Sequence, residues 1–163
     1  MIGILVNIRS AENVGSMFRT ADAAGFAKLY LCGITPAPLD RFGRPMGKLI
    51  KTSLGAEKSV AWEKVGSGVD VRPTLRLLTR LKRDGFRLIA VEQDPAAVPY
   101  YRVKLSRKEF QGAAVIVGNE INGLPRSILR CADVSLEIPM QGAKESLNVA
   151  VAFGIVAYAL RYH

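Results

Sequence analysis

The sequence predicts an α/β fold, a parallel sheet flanked by helices. Short apolar runs alternate with stretches of helical periodicity along the chain. That alternation is the mark of strands joined by crossover helices and covered on both faces. At 49% hydrophobic residues in 163, the chain can bury a proper core. The 23% of charged residues is too low a share, beside that apolar content, for a disordered chain.

The elements follow in order. Ile2–Ile8 reads as a first strand. Asn13–Ala24 reads as a helix, with Val14, Met17, Phe18 and Ala21 on one face and Gly25 as its stop. Lys28–Ile34 is a strand, and Thr35–Gly47, rich in Pro, Gly and Arg, is a loop. Thr74–Arg83 is a helix ended by Gly85. Arg87–Glu92 and Ala113–Val117 are strands, with an irregular Asp94–Phe110 between them. Val134–Ile138 is a late strand and Glu145–Tyr162 the last helix. With no repeat, low-complexity tract or linker, residues 1–163 are expected to form one domain.

Charge narrows the partners. Lys and Arg number 23 against 14 Asp and Glu, a net +9. That favours a polyanion, of which nucleic acid is the commonest, over charge kept for solubility alone. The apolar start carries no basic leader and is too short to cross a membrane. Cys32 and Cys131 lie far apart, outside any metal-ligand spacing, and the single histidine is His163. A zinc site and a histidine base are therefore not expected. Both cysteines adjoin apolar segments and read as reduced core residues of a cytoplasmic protein.

Three segments could carry chemistry. The first runs from Asn7 through Arg9, Asn13 and Arg19 to Ala21, from strand into helix. Taken singly, Asn13 suits a helix cap and Arg19 a solvated face. The second is Val115-Ile116-Val117-Gly118-Asn119-Glu120-Ile121-Asn122-Gly123-Leu124-Pro125. A buried strand there ends on a glycine that lets a ligand approach backbone, and Glu120 follows. It also fits an ordinary strand–turn–helix corner. The third is Ile138-Pro139-Met140-Gln141-Gly142-Ala143-Lys144-Glu145-Ser146-Leu147-Asn148. Ser146 is a candidate helix N-cap. Asn148 is polar at the head of an apolar helix and needs partners, from capping or from a ligand. In parallel α/β folds such strand ends gather at the ligand site.

In this order and spacing the three segments resemble the three motifs of the SpoU/TrmH group of SPOUT methyltransferases, from Asn7 to about Tyr158. Gly55-Ala56-Glu57 is similar to that group as well. The resemblance implies a C-terminal trefoil knot, which periodicity cannot reveal. It also implies S-adenosylmethionine as cofactor and an RNA ribose 2′-hydroxyl as methyl acceptor. It matches Arg19, Asn13, Glu120, Ser146 and Asn148 to catalytic positions. Val117, Gly118, Glu120, Ile138, Met140, Gly142 and Leu147 match the cofactor pocket. With no further RNA-binding domain, the chain resembles the minimal members. Transfer RNA suits such a chain and ribosomal RNA is the alternative.

A guanidinium stays protonated, so Arg19 is read as a clamp on phosphate and developing charge rather than as a free base. Asn13, Ser146 and Asn148 would orient groups by hydrogen bonds, and Glu120 would orient Arg19 or touch ligand. Arg9, Arg41, Arg44 and Lys48 are the candidate RNA contacts, with Lys51 beside them and the Thr35–Gly47 loop free to adapt. Arg72, Arg76, Arg80 and Arg83 form a helical stripe that fits RNA or solvent equally. The last helix is apolar nearly all round, which suits burial in the domain or a homodimer interface. Competing readings are base methylation, a non-catalytic RNA-binding protein, and an oxidoreductase. The last lacks a phosphate-binding glycine fingerprint.

Overall fold

In the computed structural model, which describes residues 1–162, a seven-stranded sheet runs through the molecule with every pairing parallel. His163 lies outside the described residues. The strands are β1 (Ile2–Val6), β2 (Lys28–Cys32), β3 (Ala61–Val65), β4 (Arg87–Val91), β5 (Val98–Pro99), β6 (Ala113–Val117) and β7 (Val134–Glu137). Their order across the sheet is β3-β2-β1-β6-β4-β7-β5. The helices are α1 (Ala11–Ala24), α2 (Gly47–Ser53), α3 (Ala56–Ser59), α4 (Arg72–Arg83), α5 (Arg107–Gln111), α6 (Arg126–Leu129) and α7 (Val149–Tyr162).

The period of two along each strand divides the core into two layers. Leu5, Leu29, Leu31, Ile89, Val115, Val117 and Leu136 face α1 and α7, meeting Val14, Met17, Phe18, Phe153 and Val156. Ile2, Ile4, Val6, Leu88, Ala90, Ala114 and Ile116 face the other way, onto Leu77, Leu78 and Leu81 of α4 and Ile128 of α6. Central β1 and β6 are buried at every residue, which is why they read as unbroken apolar runs. Each fully buried Leu, Ile or Phe contributes about 1.5–3 kcal/mol.

Several boundaries differ from the sequence reading. Ser10, not Asn13, caps α1, its Oγ accepting the Asn13 N–H at 3.0 Å. Gly25 stops the helix in the left-handed region, φ 75°. Helix α7 begins at Val149 rather than Glu145, and Ser146 is not its cap. Asn148 Oδ1 accepts the Ala150 and Val151 N–H groups at 2.8 and 3.4 Å. Helix α4 starts two residues early, with Pro73 in its first turn.

Helices α2 and α3 and strand β3 had no forecast. β3 is an edge strand, exposed or half-buried throughout, and carries no apolar run. Asp94–Phe110 is more ordered than expected, holding β5, a single 3-10 turn at Tyr100–Arg102 and most of α5. Helix α5 opens on a reciprocal Ser106–Glu109 capping box. Cys32 is a buried free thiol, pushed up to about 11 by burial, and Cys131 is half-buried and free.

Candidate functional site

All strands are parallel, so the carboxyl ends of β1, β6, β4 and β7 open on one edge of the sheet. A cavity of about 290 Å³ lies there. Its lining comes from the end of β4 (Val91, Glu92, Gln93), the end of β6 and its turn (Val117 to Ile121, Gly123), Ile138 after β7, and Glu145, Ser146, Leu147, Val149 and Ala152.

The turn after β6 is built on close approach. A Cβ on Gly118 would sit 2.5 Å from the carbonyl carbon of Gly123 and 2.6 Å from Leu124 N. No side chain fits there without moving backbone. Asn119 shapes the same turn. Its Oδ1 accepts the Ile121 and Asn122 N–H groups, and its Nδ2 donates to the Asn7 carbonyl at 2.8 Å. Asn7 itself ends β1 in the left-handed region, φ 54°, a conformation Asn tolerates better than most residues. Its Oδ1 accepts the Ile34 N–H.

Glu120 then reaches across to α1. Its carboxylate accepts the Arg9 N–H at 3.1 Å, the Ser10 N–H at 3.3 Å and Asn13 Nδ2 at 3.1 Å. Asn13 Oδ1 accepts from Asn148 Nδ2 at 3.0 Å, and Asn148 Oδ1 caps α7. One hydrogen-bonded chain, Glu120–Asn13–Asn148, therefore joins segments more than 100 residues apart in sequence. Partial burial pushes the Glu120 carboxyl up. The N–H groups of Glu120, Arg9 and Ser10 and the Asn13 amide outweigh that and hold it below the ordinary glutamate range.

Among the residues nominated for catalysis, Asn13, Glu120 and Asn148 come together and Ser146 joins the cavity wall. Arg19 does not meet Glu120, whose carboxylate is spent on Arg9, Ser10 and Asn13; the expected orienting contact is absent. Arg19 lies on the next turns of α1 and is exposed. It lines a second, more open concavity with Ser16, Thr20, Leu54, Gly55 and Tyr158.

Among the cofactor candidates, Val117, Gly118, Glu120, Ile138 and Leu147 line the cavity, whereas Met140 and Gly142 do not. Arg9, Arg41, Arg44 and Lys48 are exposed, and Lys48 Nζ stands 3.7 Å from Glu12. The Arg72, Arg76, Arg80 and Arg83 stripe is solvated, on the sheet face opposite α1. Arg72 pairs with Asp70 and Arg83 with Asp84.

Sequence reasoning missed Glu92 and Gln93. Glu92 Oε2 accepts the Leu124 N–H at 2.6 Å, and Gln93 Nε2 donates to the Ile138 carbonyl at 2.8 Å. Their signal was a carboxylate closing a buried parallel strand, the place where such folds hold ligands.

The cavity has a definite chemical character. Val117, Ile138, Leu147 and Val149 give it apolar wall suited to a flat purine, while the space that Gly118 leaves is taken by the Gly123–Leu124 backbone rather than by ligand. Glu92, Glu120 and Glu145 give it negative charge suited to a cationic ligand.

A family model described as the SpoU rRNA Methylase family matches residues 1–158. The chain is 31% identical to a tRNA (guanosine(18)-2′-O)-methyltransferase of Aquifex aeolicus, over 93% of this chain and 64% of that relative. It is 32% identical to the 23S rRNA (guanosine(2553)-2′-O)-methyltransferase RlmP of Bacillus subtilis, over 94% of this chain and 55% of that one. It thus spans between about half and two thirds of the length of these relatives. The crystal structure of an AdoMet-bound rRNA methyltransferase from Sinorhizobium meliloti superposes with a TM-score of 0.77. That alignment is 25% identical and covers 97% of this chain and 54% of that one.

Proposed function

The chain belongs to the SpoU rRNA methylase family, and on that premise we propose that it methylates the ribose 2′-hydroxyl of an RNA nucleotide using S-adenosylmethionine. The observation that carries the reading is the Glu120–Asn13–Asn148 chain at the rim of an acidic, partly apolar cavity. S-adenosylmethionine is a purine nucleoside bearing two positive groups, a sulfonium and an ammonium. The apolar wall suits the first part and the carboxylates suit the second. Val117, Gly118, Ile138 and Leu147 would hold the nucleoside, with Met140 and Gly142 in the adjoining loop. Once bound, the cofactor supplies an electrophilic methyl group.

The protein's own work is then placement and proton control. Ser146 and Asn13 offer a hydroxyl and an amide to orient the ribose. Glu120 is a positioning residue, because its carboxylate already takes three N–H groups and stays ionised. The departing hydroxyl proton goes to a phosphate oxygen or water. Arg19 holds phosphate and stabilises the charge growing on the ribose oxygen.

Arg19 sits outside its own chain's cavity, and a homodimer answers this. Val151, Tyr158 and Tyr162 of α7 are exposed, and Leu54 beside them is 72% exposed in the left-handed region. Tyr158, Leu54 and Arg19 share one concavity, so a second copy seated on this face covers Arg19 and brings it into a site between subunits. We further read residues 1–163 as one domain and the fold as carrying the family's trefoil knot. Among the described residues no helix is long and apolar enough to cross a membrane, and we place the protein in the cytoplasm. Transfer RNA is kept as the favoured substrate and ribosomal RNA as the alternative; relatives that act on each match over comparable lengths.

The test is incubation with methyl-labelled S-adenosylmethionine and separated transfer and ribosomal RNA, then mapping of the labelled nucleotide. Label that blocks ribonuclease cleavage at its own nucleotide supports ribose methylation. Label on a base would overturn the acceptor. No label in either RNA, with cofactor binding intact, would make this a non-catalytic RNA-binding member of the family.

A further inference from the structure

The Thr35–Gly47 loop is less free than its glycines and prolines suggest. Asp40 pins it from within. Its Oδ1 accepts the Phe42 and Arg44 N–H groups at 2.8 and 2.9 Å, and its Oδ2 accepts Arg44 Nε at 2.8 Å. The Asp40 N–H in turn donates to the Arg44 carbonyl, and Leu39 bridges Pro45 in antiparallel fashion. The Arg44 and Phe42 bonds hold the Asp40 carboxyl below its ordinary range.

This small finger presents Phe42 at its tip, 65% exposed. The Arg41 and Arg44 guanidiniums lie 4.7 and 5.0 Å from the ring centroid. Among the exposed large apolar side chains described, Phe42 has two guanidinium neighbours, and nothing in the chain's own core covers it.

We propose that Phe42 is a stacking platform for an unpaired RNA base next to the target nucleotide, with Arg41 and Arg44 taking the adjoining phosphates. The inference rests on the RNA reading above and adds a contact to it. An aromatic face with flanking guanidiniums is the surface that single-stranded nucleic acid requires. Without RNA the guanidiniums lie near the ring, which stays largely exposed. Phosphate competes for them with charge-assisted, bidentate bonds that are stronger than an exposed cation–π contact. The ring face is then free for a base, and the loop is already ordered by Asp40.

Position fits this role. Lys48, at the finger's base, lies beside Glu12, the neighbour of Asn13. Phe42 is no more than about 20 Å of extended chain from Lys48. That span puts the platform within reach of a nucleotide flanking the one methylated.

The experiment uses a single-stranded RNA oligonucleotide carrying 2-aminopurine, whose fluorescence falls on stacking, and a hairpin duplex as control. Phe42→Ala is expected to weaken single-strand binding about tenfold and to abolish the quenching. It should leave the slope of log affinity against log salt unchanged. Phe42→Trp should retain both. Arg41→Ala should lower the slope by about 0.7. Unchanged affinity and quenching in Phe42→Ala would overturn the platform while leaving RNA binding by the wild type intact. Equal weakening on the duplex would overturn it too. Failure of the wild type to bind either RNA would remove both the platform and the RNA reading.

Discussion

The cavity rim and the concavity around Arg19 are neighbours on α1, yet they are built differently. At the rim, Asn13 is held from two sides, by Glu120 after β6 and by Asn148 at the head of α7. Around Arg19 the wall is open and carries the exposed Leu54 and Tyr158. The rim is complete within one chain. The Arg19 face is an open concavity, and on the reading proposed above a second copy of the chain supplies its remaining wall. Two residues that lie close together in one sequence motif therefore stand in different surroundings.

That contrast can be tested at both ends. The largest effect is expected from Gly118→Ala. Its Cβ meets the Gly123–Leu124 backbone, so the cavity floor must move. Overpacking of this kind costs about 1–3 kcal/mol, and calorimetric titration should show S-adenosylmethionine binding lost. Unaltered binding would mean that the cavity is not the cofactor site.

Next comes Arg19→Lys, expected to lower turnover by about 100-fold while cofactor affinity stays constant, because an ammonium lacks the planar fork. A drop in cofactor affinity instead would merge the two regions and break the comparison. Mixing Arg19→Lys with an inactive Gly118→Ala protein sharpens it further. Activity recovered in the mixed dimer is the expected outcome if one protomer supplies Arg19 and the other the cavity.

A smaller effect follows from the hydrogen-bonded chain itself. Asn148→Ala removes the α7 cap and should cost about 1 kcal/mol in chemical denaturation. A double-mutant cycle with Asn13→Ala should return a coupling of at least about 0.5 kcal/mol. Strict additivity would show that the rim is not one unit.

The smallest effect is in pH. The Glu120 carboxyl is held below its ordinary range in the folded protein. Its contribution is fully present above the unfolded value, about 4.3, and is lost as pH falls through the lower folded value. Glu120→Gln should therefore be less stable than wild type at neutral pH, and the gap should narrow under acid. A gap independent of pH would mean that charge on Glu120 plays no part.

Much of this was legible in the chain. The apolar runs of β1, β2, β4 and β6 mark strands because burial on both faces demands it, and β7 shows instead the apolar–polar alternation of Val134-Ser135-Leu136-Glu137. The 3.6-residue stripes of α1 and α4 mark helices. β3 was not legible, because an edge strand reading Ala61-Trp62-Glu63-Lys64-Val65 carries neither an apolar run nor a clean alternation. The start of α7 was misplaced because Glu145, Ser146 and Leu147 are acceptable helix residues. The Asn148 amide overrides that preference by taking the first N–H groups of the helix. Glu92 and Gln93 passed unnoticed because a carboxylate after a strand is a weak signal, and the contacts that mark them come from Leu124 and Ile138, far along the chain.

Sequence alone determined the layered α/β architecture, the three motif segments and the identity of the polar residues within them. Periodicity and composition act over a few residues, and a strand or a helix is a local object. Only the tertiary structure decided that Asn13, Glu120 and Asn148 form one chain of hydrogen bonds and that Arg19 faces elsewhere. Those contacts join residues more than 100 positions apart. Such pairings depend on where parallel strands end in space, and no periodicity in one dimension encodes that.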